Sequence, residues 1–365
     1  MKVAIIGAGT SGLACAIELE RNGIMPAIFE RNDFIGEYNS HVSAFLKLIS
    51  RPVPDPLKYI EKYFGIKINP LNPLSKVIHF SPNNQVDVTG SLGYFFIRGR
   101  EENSFKNQLH KIVKSKVHFN TFVQPEEIER DFDYVVVADG HWSVPSRFGI
   151  WQEVMHTWVK GGVFEGDFEA ETLQVWFDNK LTNGAYIYLA PYSKSRAVIA
   201  QIVQGIEQQE INNYWQSFLS QHNILKKYNL IETWELPHHA GLVTTNKVRN
   251  IYFIGAAGGG AEPFLGFGQF NAVYQGVMAA RSISHGYDMK HLLKDLNKKS
   301  IELTTLRTLL NAATNENYDL LLTIMKLPGY RSLLYNTNIN IIKFLATLTK
   351  PYAKNKLSAL RNMGG

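Results

Sequence analysis

Lys2-Val-Ala-Ile-Ile6, Gly7-Ala-Gly9-Thr-Ser-Gly12 and Leu13-Ala-Cys-Ala-Ile-Glu-Leu-Glu-Arg21 follow one another without a break, and a second apolar run, Pro26 to Phe29, ends on Glu30. The first run is apolar and β-branched and predicts a buried strand. The third repeats apolar residues at helical spacing. Strand, glycine turn, helix, strand and acid stand in the order a dinucleotide site requires. Gly7 allows the tight turn, Gly9 lets backbone approach a pyrophosphate, and Gly12 lets helix and strand pack closely. The helix start, with Ser11 in its first turn, offers free N–H groups and positive partial charge to phosphates. Glu30 stands where a carboxylate accepts hydrogen bonds from a ribose. A signal peptide is not expected, because the apolar run is short and glycines break it.

The chain has 365 residues, enough for about two domains. No stretch approaches the roughly 18 apolar residues of a spanning helix. Cys15 is the single cysteine, so a disulfide framework is excluded and a reducing, cytoplasmic interior is expected. It reads as a small packing residue. The net charge of +6 is uneven: residues 290–365 hold 12 of the 38 Lys/Arg and 4 of the 32 Asp/Glu. Nothing resembles a nucleic-acid module. The basic residues of that region alternate with apolar runs, Leu320–Leu327 and Ile339–Leu348. Core helices are the default reading, and peripheral contact with an anionic lipid surface at the cytoplasmic face is the sharper one.

Along the chain, Glu37–Ile49 predicts a turn into a helix. Residues 50–95, rich in Pro and Asn, predict an insertion of short strands. Ser104–Ser115 has helical spacing with Ser104 as N-cap. Tyr134–Ala138 is a buried strand that runs into Asp139-Gly140. Trp158–Phe164, Leu173–Phe177, Ala185–Leu189 and Ala197–Val203 are strand-like and turn-separated, which predicts an antiparallel sheet. Ile251–Ile254 is another buried strand, followed by Gly255-Ala256 and the glycine-dense run to Gly268. Phe270–Ser284 and residues 290–349 read as helices. The expected segmentation has a discontinuous nucleotide domain (1–60, 95–150, 245–290), a substrate domain (61–94, 151–244) and a helical region (291–365).

Three glycine-bearing loops thus leave the ends of buried strands. Ligands of doubly wound sheets bind beyond those ends, so the three converge on one extended cofactor. Taken together they resemble the flavoproteins of the p-hydroxybenzoate hydroxylase and geranylgeranyl reductase superfamily, over about 290 residues. That superfamily carries an N-terminal G-x-G-x-x-G, a central Asp-Gly and a late glycine motif. Arg98-Gly99 with Glu102 to Ser104, Tyr186-Ile-Tyr188-Leu-Ala-Pro191 and Pro263-Phe-Leu-Gly266-Phe-Gly268 are most similar to its geranylgeranyl reductase-like branch. The resemblance implies an α/β two-dinucleotide-binding-fold flavoprotein: a Rossmann-like FAD domain, an antiparallel-sheet substrate domain and a helical C-terminal region. It implies bound FAD, with Gly7, Gly9, Gly12 and Glu30 at the ADP half and Arg31 in the loop beside it. Arg98 or Arg100 would lie near the pyrophosphate and Asp139-Gly140 would close the site. Gly255, Ala256, Pro263 and Gly266-Phe267-Gly268 would lie along the flavin.

The sequence departs from that pattern where the family has Asp after the first late glycine. Ala256 accepts no hydrogen bond from a ribityl chain, and Glu262 lies too far along to replace it. The region after Glu30 reads Tyr38-Asn-Ser40-His41, so no catalytic cysteine is carried over. No Trp-x-Trp-x-Ile-Pro run occurs, which argues against a halogenase. His41 is a candidate proton donor, though a surface histidine is the commoner case. His141 and Trp142 either cover the cofactor or pack. Trp176, Tyr186, Tyr188 and Tyr192 either line an apolar pocket or pack on a sheet face. His238-His239 read as loop residues, and without a further ligand cluster no metal site is expected.

The function implied is FAD-dependent reduction of double bonds in an isoprenoid or other apolar lipid, with NAD(P)H or another reductant as transient donor. Two alternatives stay open. One is a flavin monooxygenase using NAD(P)H and oxygen; the other is a non-catalytic binding protein in which Ala256 has weakened the site.

Overall fold

The computed structural model describes residues 1–335 and residue 337. Among them are fourteen strands: β1 (Val3–Ile6), β2 (Ala27–Phe29), β3 (His41–Leu46), β4 (Asn72–Phe80), β5 (Gln85–Arg98), β6 (Val117–His118), β7 (Tyr134–Val137), β8 (Trp151–Glu165), β9 (Thr172–Trp176), β10 (Ile187–Pro191), β11 (Arg196–Gln204), β12 (Asn229–Val243), β13 (Lys247–Val248) and β14 (Ile251–Phe253). The principal helices are α1 (Thr10–Arg21), α2 (Pro56–Phe64), α3 (Phe105–His110), α4 (Ile211–Gln221), α5 (Gln269–His285), α6 (Lys294–Ala312), α7 (Asn315–Lys326) and α8 (Tyr330–Tyr335).

Six strands form a sheet in the order β13-β14-β7-β1-β2-β6, parallel except for β13. Parallel strands covered on both faces need unbroken apolar runs, and every residue of β1 and β14 is buried. On one face Ile5 and Val136 pack with Leu13, Ile17, Val277 and Ala280 of α1 and α5. On the other, Ala4, Ile6, Val135 and Val137 pack with Val144 and Ile150. Cys15 is buried in the first of these clusters, where desolvation pushes its thiol well above the usual range. It is a packing residue.

The other eight strands form a curled sheet, β12-β8-β11-β10-β9-β4-β5-β3, antiparallel except where β4 meets β9. The antiparallel set expected from residues 151–204 is present as β8 to β11. Three expectations are corrected. Residues 41–46 are not helical: Val42 and Ala44 alternate inward with half-buried His41 and Ser43, and β3 pairs with β5 along its length. The 50–95 segment holds a helix, α2, capped by Asp55, whose carboxylate accepts from the Leu57 and Lys58 N–H groups at 3.1 Å. His238 and His239 lie inside β12, paired with Thr157 and His156. The adjoining Pro237 is tolerated because β12 is an edge strand. The sheet also takes in β3 and all of β5, so the chain crosses between sheets at Arg98.

Among the described residues, the chain from residue 290 to 335 is mainly helical. Leu320–Leu327 falls on and just after α7, which buries Tyr318, Leu322 and Met325 and exposes Leu320, Leu321 and Leu327. Ile339–Leu348 lies outside the described residues. Not all the basic residues here face water: Arg307 is buried and Lys299 half-buried. No helix among the described residues is long and apolar enough to cross a membrane.

Helices α1 and α5 touch backbone to backbone, since a Cβ on Gly276 would stand 2.3 Å from the Ser11 carbonyl oxygen. Gly276→Ala is expected to lower stability by about 1–3 kcal/mol, the usual cost of overpacking. Urea denaturation reads this directly, and an unchanged midpoint would contradict the close approach.

Candidate functional site

The glycine turn after β1 is crowded by its own backbone. Gly7 sits at φ +101°, and a Cβ there would lie 2.6 Å from the Ala138 carbonyl oxygen at the end of β7. A Cβ on Gly12 would come to 2.1 Å from the Gly7 carbonyl. Gly9 differs: its Cβ would meet nothing nearer than the Ala138 oxygen at 3.6 Å. The fold does not demand glycine there, and the bare backbone faces the cavity beyond. Glu30 Oε2 accepts from the Ala8 N–H at 2.9 Å and Oε1 from the Asn32 N–H at 3.0 Å. Its carboxylate therefore clamps the turn while bordering the same cavity.

That cavity measures about 1170 Å³, more than one small ligand needs. Its nucleotide end is bordered by Gly7, Gly9, Ser11, Glu30 and Arg31, and by Asp139 and Gly140. Arg98, His41, Gly255, Ala256, Gly266, Phe267 and Gly268 also border it. Three expected residues do not. Gly12 serves helix packing. Pro263 is buried within its loop. Arg100 is exposed, with its guanidinium 3.6 Å above the Phe34 ring centroid rather than on the cavity. His141 and Trp142 stack on each other outside it, with Trp142 reaching His239.

Sequence reasoning missed Glu37. Its carboxylate accepts from Arg98 Nε at 2.8 Å and the Gly99 N–H at 3.1 Å, and Lys106 Nζ lies 2.9 Å away. Burial alone would raise this carboxyl, but the Arg98 guanidinium and Lys106 ammonium hold it well below the usual range. The partners lie more than sixty residues along the chain, so no local spacing signals them. Asn246 and Gln275 were missed too. Both donate to the Gly258 carbonyl, at 2.9 and 3.0 Å, and fix the turn after β14.

Glu262 is turned into its own loop. Its oxygens accept from the N–H groups of Phe264, Leu265 and Phe267 at 2.7–3.0 Å. Burial pushes the carboxyl up to about 7 against those donors. The carboxylate shapes the loop and does not make good the missing acceptor at Ala256. Two further groups brace this loop. Tyr186 Oη donates to the Leu265 carbonyl at 2.7 Å. Buried Arg307 reaches the Phe264 carbonyl at 3.2 Å and the Gly184 carbonyl at 2.6 Å.

Beyond the loops the cavity turns apolar. Val159, Leu173, Val175, Ile202 and Leu236 form a floor on the curled sheet. Leu306 and Leu309 of α6 and Leu322 and Met325 of α7 form the roof. Tyr186 and Tyr188 therefore line the pocket; Trp176 is core, and Tyr192 hydrogen-bonds Ser40 at 3.1 Å. His41 lies in the cavity wall rather than on the surface. Its Nδ1–H donates to the Asn39 carbonyl at 3.0 Å, so Nε2 carries the lone pair. Burial and nearby Arg98 push its pKa down to about 4. The resting imidazole is therefore an acceptor, contrary to the expected proton donor. Tyr188 has the opposite character: burial raises its phenol, and its hydroxyl makes no hydrogen bond among the described residues.

No metal-binding group of His, Cys, Asp and Glu occurs among the described residues. Residues 5–43 match the model of the NAD(P)-binding Rossmann-like domain. The whole chain superposes on a geranylgeranyl bacteriochlorophyll reductase-like protein from Thermoplasma acidophilum, with a TM-score of 0.74, 15% identity and 98% of each chain covered. It superposes on the flavin-dependent brominase Bmp2 with a TM-score of 0.65, 13% identity and 100% of each chain covered. For CtdE, solved with FAD and a substrate, the TM-score is 0.60 at 13% identity, covering 97% of this chain and 100% of that one. At these identities the likeness is one of fold, and the fold is that of the flavoproteins.

Glu37→Gln should loosen the anchor of Arg98 and cost about 1.5–3 kcal/mol, the worth of a hydrogen bond to a charged group. Because the folded carboxyl is held low, its contribution is full above the unfolded value of about 4.3 and is lost as pH falls through the lower folded value. The stability gap between wild type and variant should therefore shrink below about pH 4.3. Urea titrations at several pH values check this, and a gap independent of pH would refute it.

Proposed function

We propose that this chain is an FAD-dependent oxidoreductase that reduces double bonds of an apolar, isoprenoid-like small molecule. One observation carries the reading: a single cavity joins the glycine turn and its acid to a floor and roof of hydrocarbon side chains. FAD fits the nucleotide end, where bare backbone at Gly9 and the carboxylate of Glu30 meet. Gly7, Gly9, Ser11 and Glu30 would hold its ADP half, Arg31 and Arg98 would lend positive charge, and the 255–268 turn would lie along the flavin ring. When bound, the flavin supplies hydride chemistry that no side chain can. The protein's part is to exclude water, orient a hydrocarbon and keep a protonated hydroxyl, Tyr188, on the floor. Glu37 fixes Arg98, and Tyr186 and Arg307 fix the 263–268 loop.

A flavin monooxygenase is the second reading. It is favoured by the aromatic side chains Tyr186, Tyr188 and Trp234 around the cavity, which suit a flat ring as well as a chain. It would use NAD(P)H as a transient donor.

The purified protein is expected to show a two-banded flavin absorption spectrum. After anaerobic photoreduction, the flavin should be reoxidised by a prenyl lipid. Oxygen-dependent NAD(P)H oxidation stimulated by aromatic acids would favour the second reading. A colourless protein that takes up no added FAD would refute both enzyme readings and leave a binding role. Ala256→Asp restores the acceptor that the family resemblance implies and is expected to tighten FAD binding about tenfold, roughly the worth of one charge-assisted hydrogen bond. A fluorescence titration with an unchanged or weaker Kd would show that Ala256 is not a deficit.

A further inference from the structure

The apolar floor is interrupted at one place. Val77 and His79 of β4 share a face with Leu173 and Val175 of β9, and all four line the cavity. A histidine among three hydrocarbons is costly unless its polarity is used. His79 is only 6% exposed, and its Nε2 lies 2.7 Å from the hydroxyl of Tyr335 on α8. Its Nδ1 is buried without a hydrogen-bond partner, although the Val86 backbone lies beside it. Tyr318 of α7, 4% exposed, also lines the cavity, and its hydroxyl is buried with no partner. Phe177 links His79 and Tyr318, stacked on the first at 6.4 Å and tilted against the second at 5.7 Å. These groups stand on α7, α8 and β4, whereas the glycine turns follow β1, β7 and β14.

The protons can be counted. A neutral imidazole has one N–H and one lone pair, and a tyrosine has one O–H. When His79 Nε2–H donates to Tyr335, the Tyr335 O–H is left to donate; when the phenol donates, the remaining proton sits on Nδ1 beside the Val86 backbone. Tyr318 adds a second. Burial pushes His79 down to about 4 and raises both tyrosines, so all three are neutral at ordinary pH. Two uncharged donors in a hydrocarbon cavity match one neutral acceptor. The nearby cations, Arg51 and Arg307, are turned to the backbone carbonyls of Tyr335, Phe264 and Gly184.

We propose that His79, Tyr335 and Tyr318 form a recognition site for a neutral oxygen, a hydroxyl or carbonyl, at the buried end of an otherwise apolar substrate. The inference rests on reading the cavity as a substrate pocket, and it deepens that reading by giving the substrate one uncharged oxygen. It does not depend on flavin being bound or reduced.

Farnesol and farnesene, the tetraene left when farnesol loses water and with it the hydroxyl, are the probes. Binding is followed by tryptophan fluorescence, since Trp234 lines the cavity. Wild type should hold farnesol about tenfold more tightly than farnesene. The Y318F/Y335F double variant should lose that preference and bind farnesene at least as well as wild type. Y318F alone should reduce the preference without lowering the melting temperature of the ligand-free protein, because the hydroxyl it removes bonds to nothing there. A lowered melting temperature would mark Tyr318 as structural and overturn its part. Equal affinities in wild type, no binding of either probe, or a preference that survives the double variant would overturn the proposal. Absence of flavin with the preference intact would refute the FAD reading and leave this one standing.

Discussion

The contact between the glycine turn and the end of β7 is the constraint on which the site depends. Gly7 lies against the Ala138 carbonyl, Gly12 against the Gly7 carbonyl, Gly255 against Ser11 Oγ, and Gly276 against the Ser11 carbonyl. Each approach is closer than a Cβ allows. Together they draw α1 onto the parallel sheet and the turn after β14 onto the start of α1. The three glycine loops are therefore not separate binding features that happen to meet. They are mutually excluded volumes, and removing the side chains at these positions lets backbone N–H groups converge on one region. Gly9 and Gly140 are free of that crowding and both border the cavity.

The second constraint is the join between the sheets. The chain leaves the curled sheet at Arg98-Gly99, and there Gly36 packs against the Gly99 carbonyl at a distance no Cβ permits. Glu37 then meets Arg98, the Gly99 N–H and Lys106 from β5 and α3. An ion cluster of this burial has little net worth against a hydrocarbon replacement, yet losing one member leaves the others uncompensated. Its value here is positional: it fixes the cation at the cavity wall relative to the glycine turn.

The nucleotide half was legible because its signals are local. A buried run, a glycine turn and an acid within thirty residues need no tertiary knowledge, and β7 and β14 announce themselves the same way. The rest failed for stated reasons. β3 is six residues, too short for periodicity to separate strand from helix, and only its pairing with β5 makes it a strand. Around α2 the Asp55-Pro56 start and Gly65 stop were present, but a Pro- and Asn-rich surrounding masked them. Pro237 pointed to a loop, and only the edge position of β12 makes it compatible with a strand. Glu37 and Arg307 act through contacts across long stretches of chain, where one sequence carries no spacing signal; Asn246 and Gln275 reach the Gly258 carbonyl from 12 and 17 residues away, through side-chain amides that no periodicity marks.

The cavity is graded in polarity, and that grading limits the chemistry. Glu30, Arg31, Arg98 and Asp139 place charge at one end, where phosphates and ribose hydroxyls would be matched. Along the floor every titratable group is driven neutral. Burial lowers His41, His238 and His79 to about 4 and raises Tyr186 and Tyr188. A substrate lying there meets hydrocarbon, aromatic faces and a few uncharged donors and acceptors. His41 offers a lone pair and Tyr188 a proton, so the two groups are not interchangeable. Both border the cavity. The cavity thus separates its charged end from an apolar floor, where shape and a few uncharged polar groups are what a ligand meets.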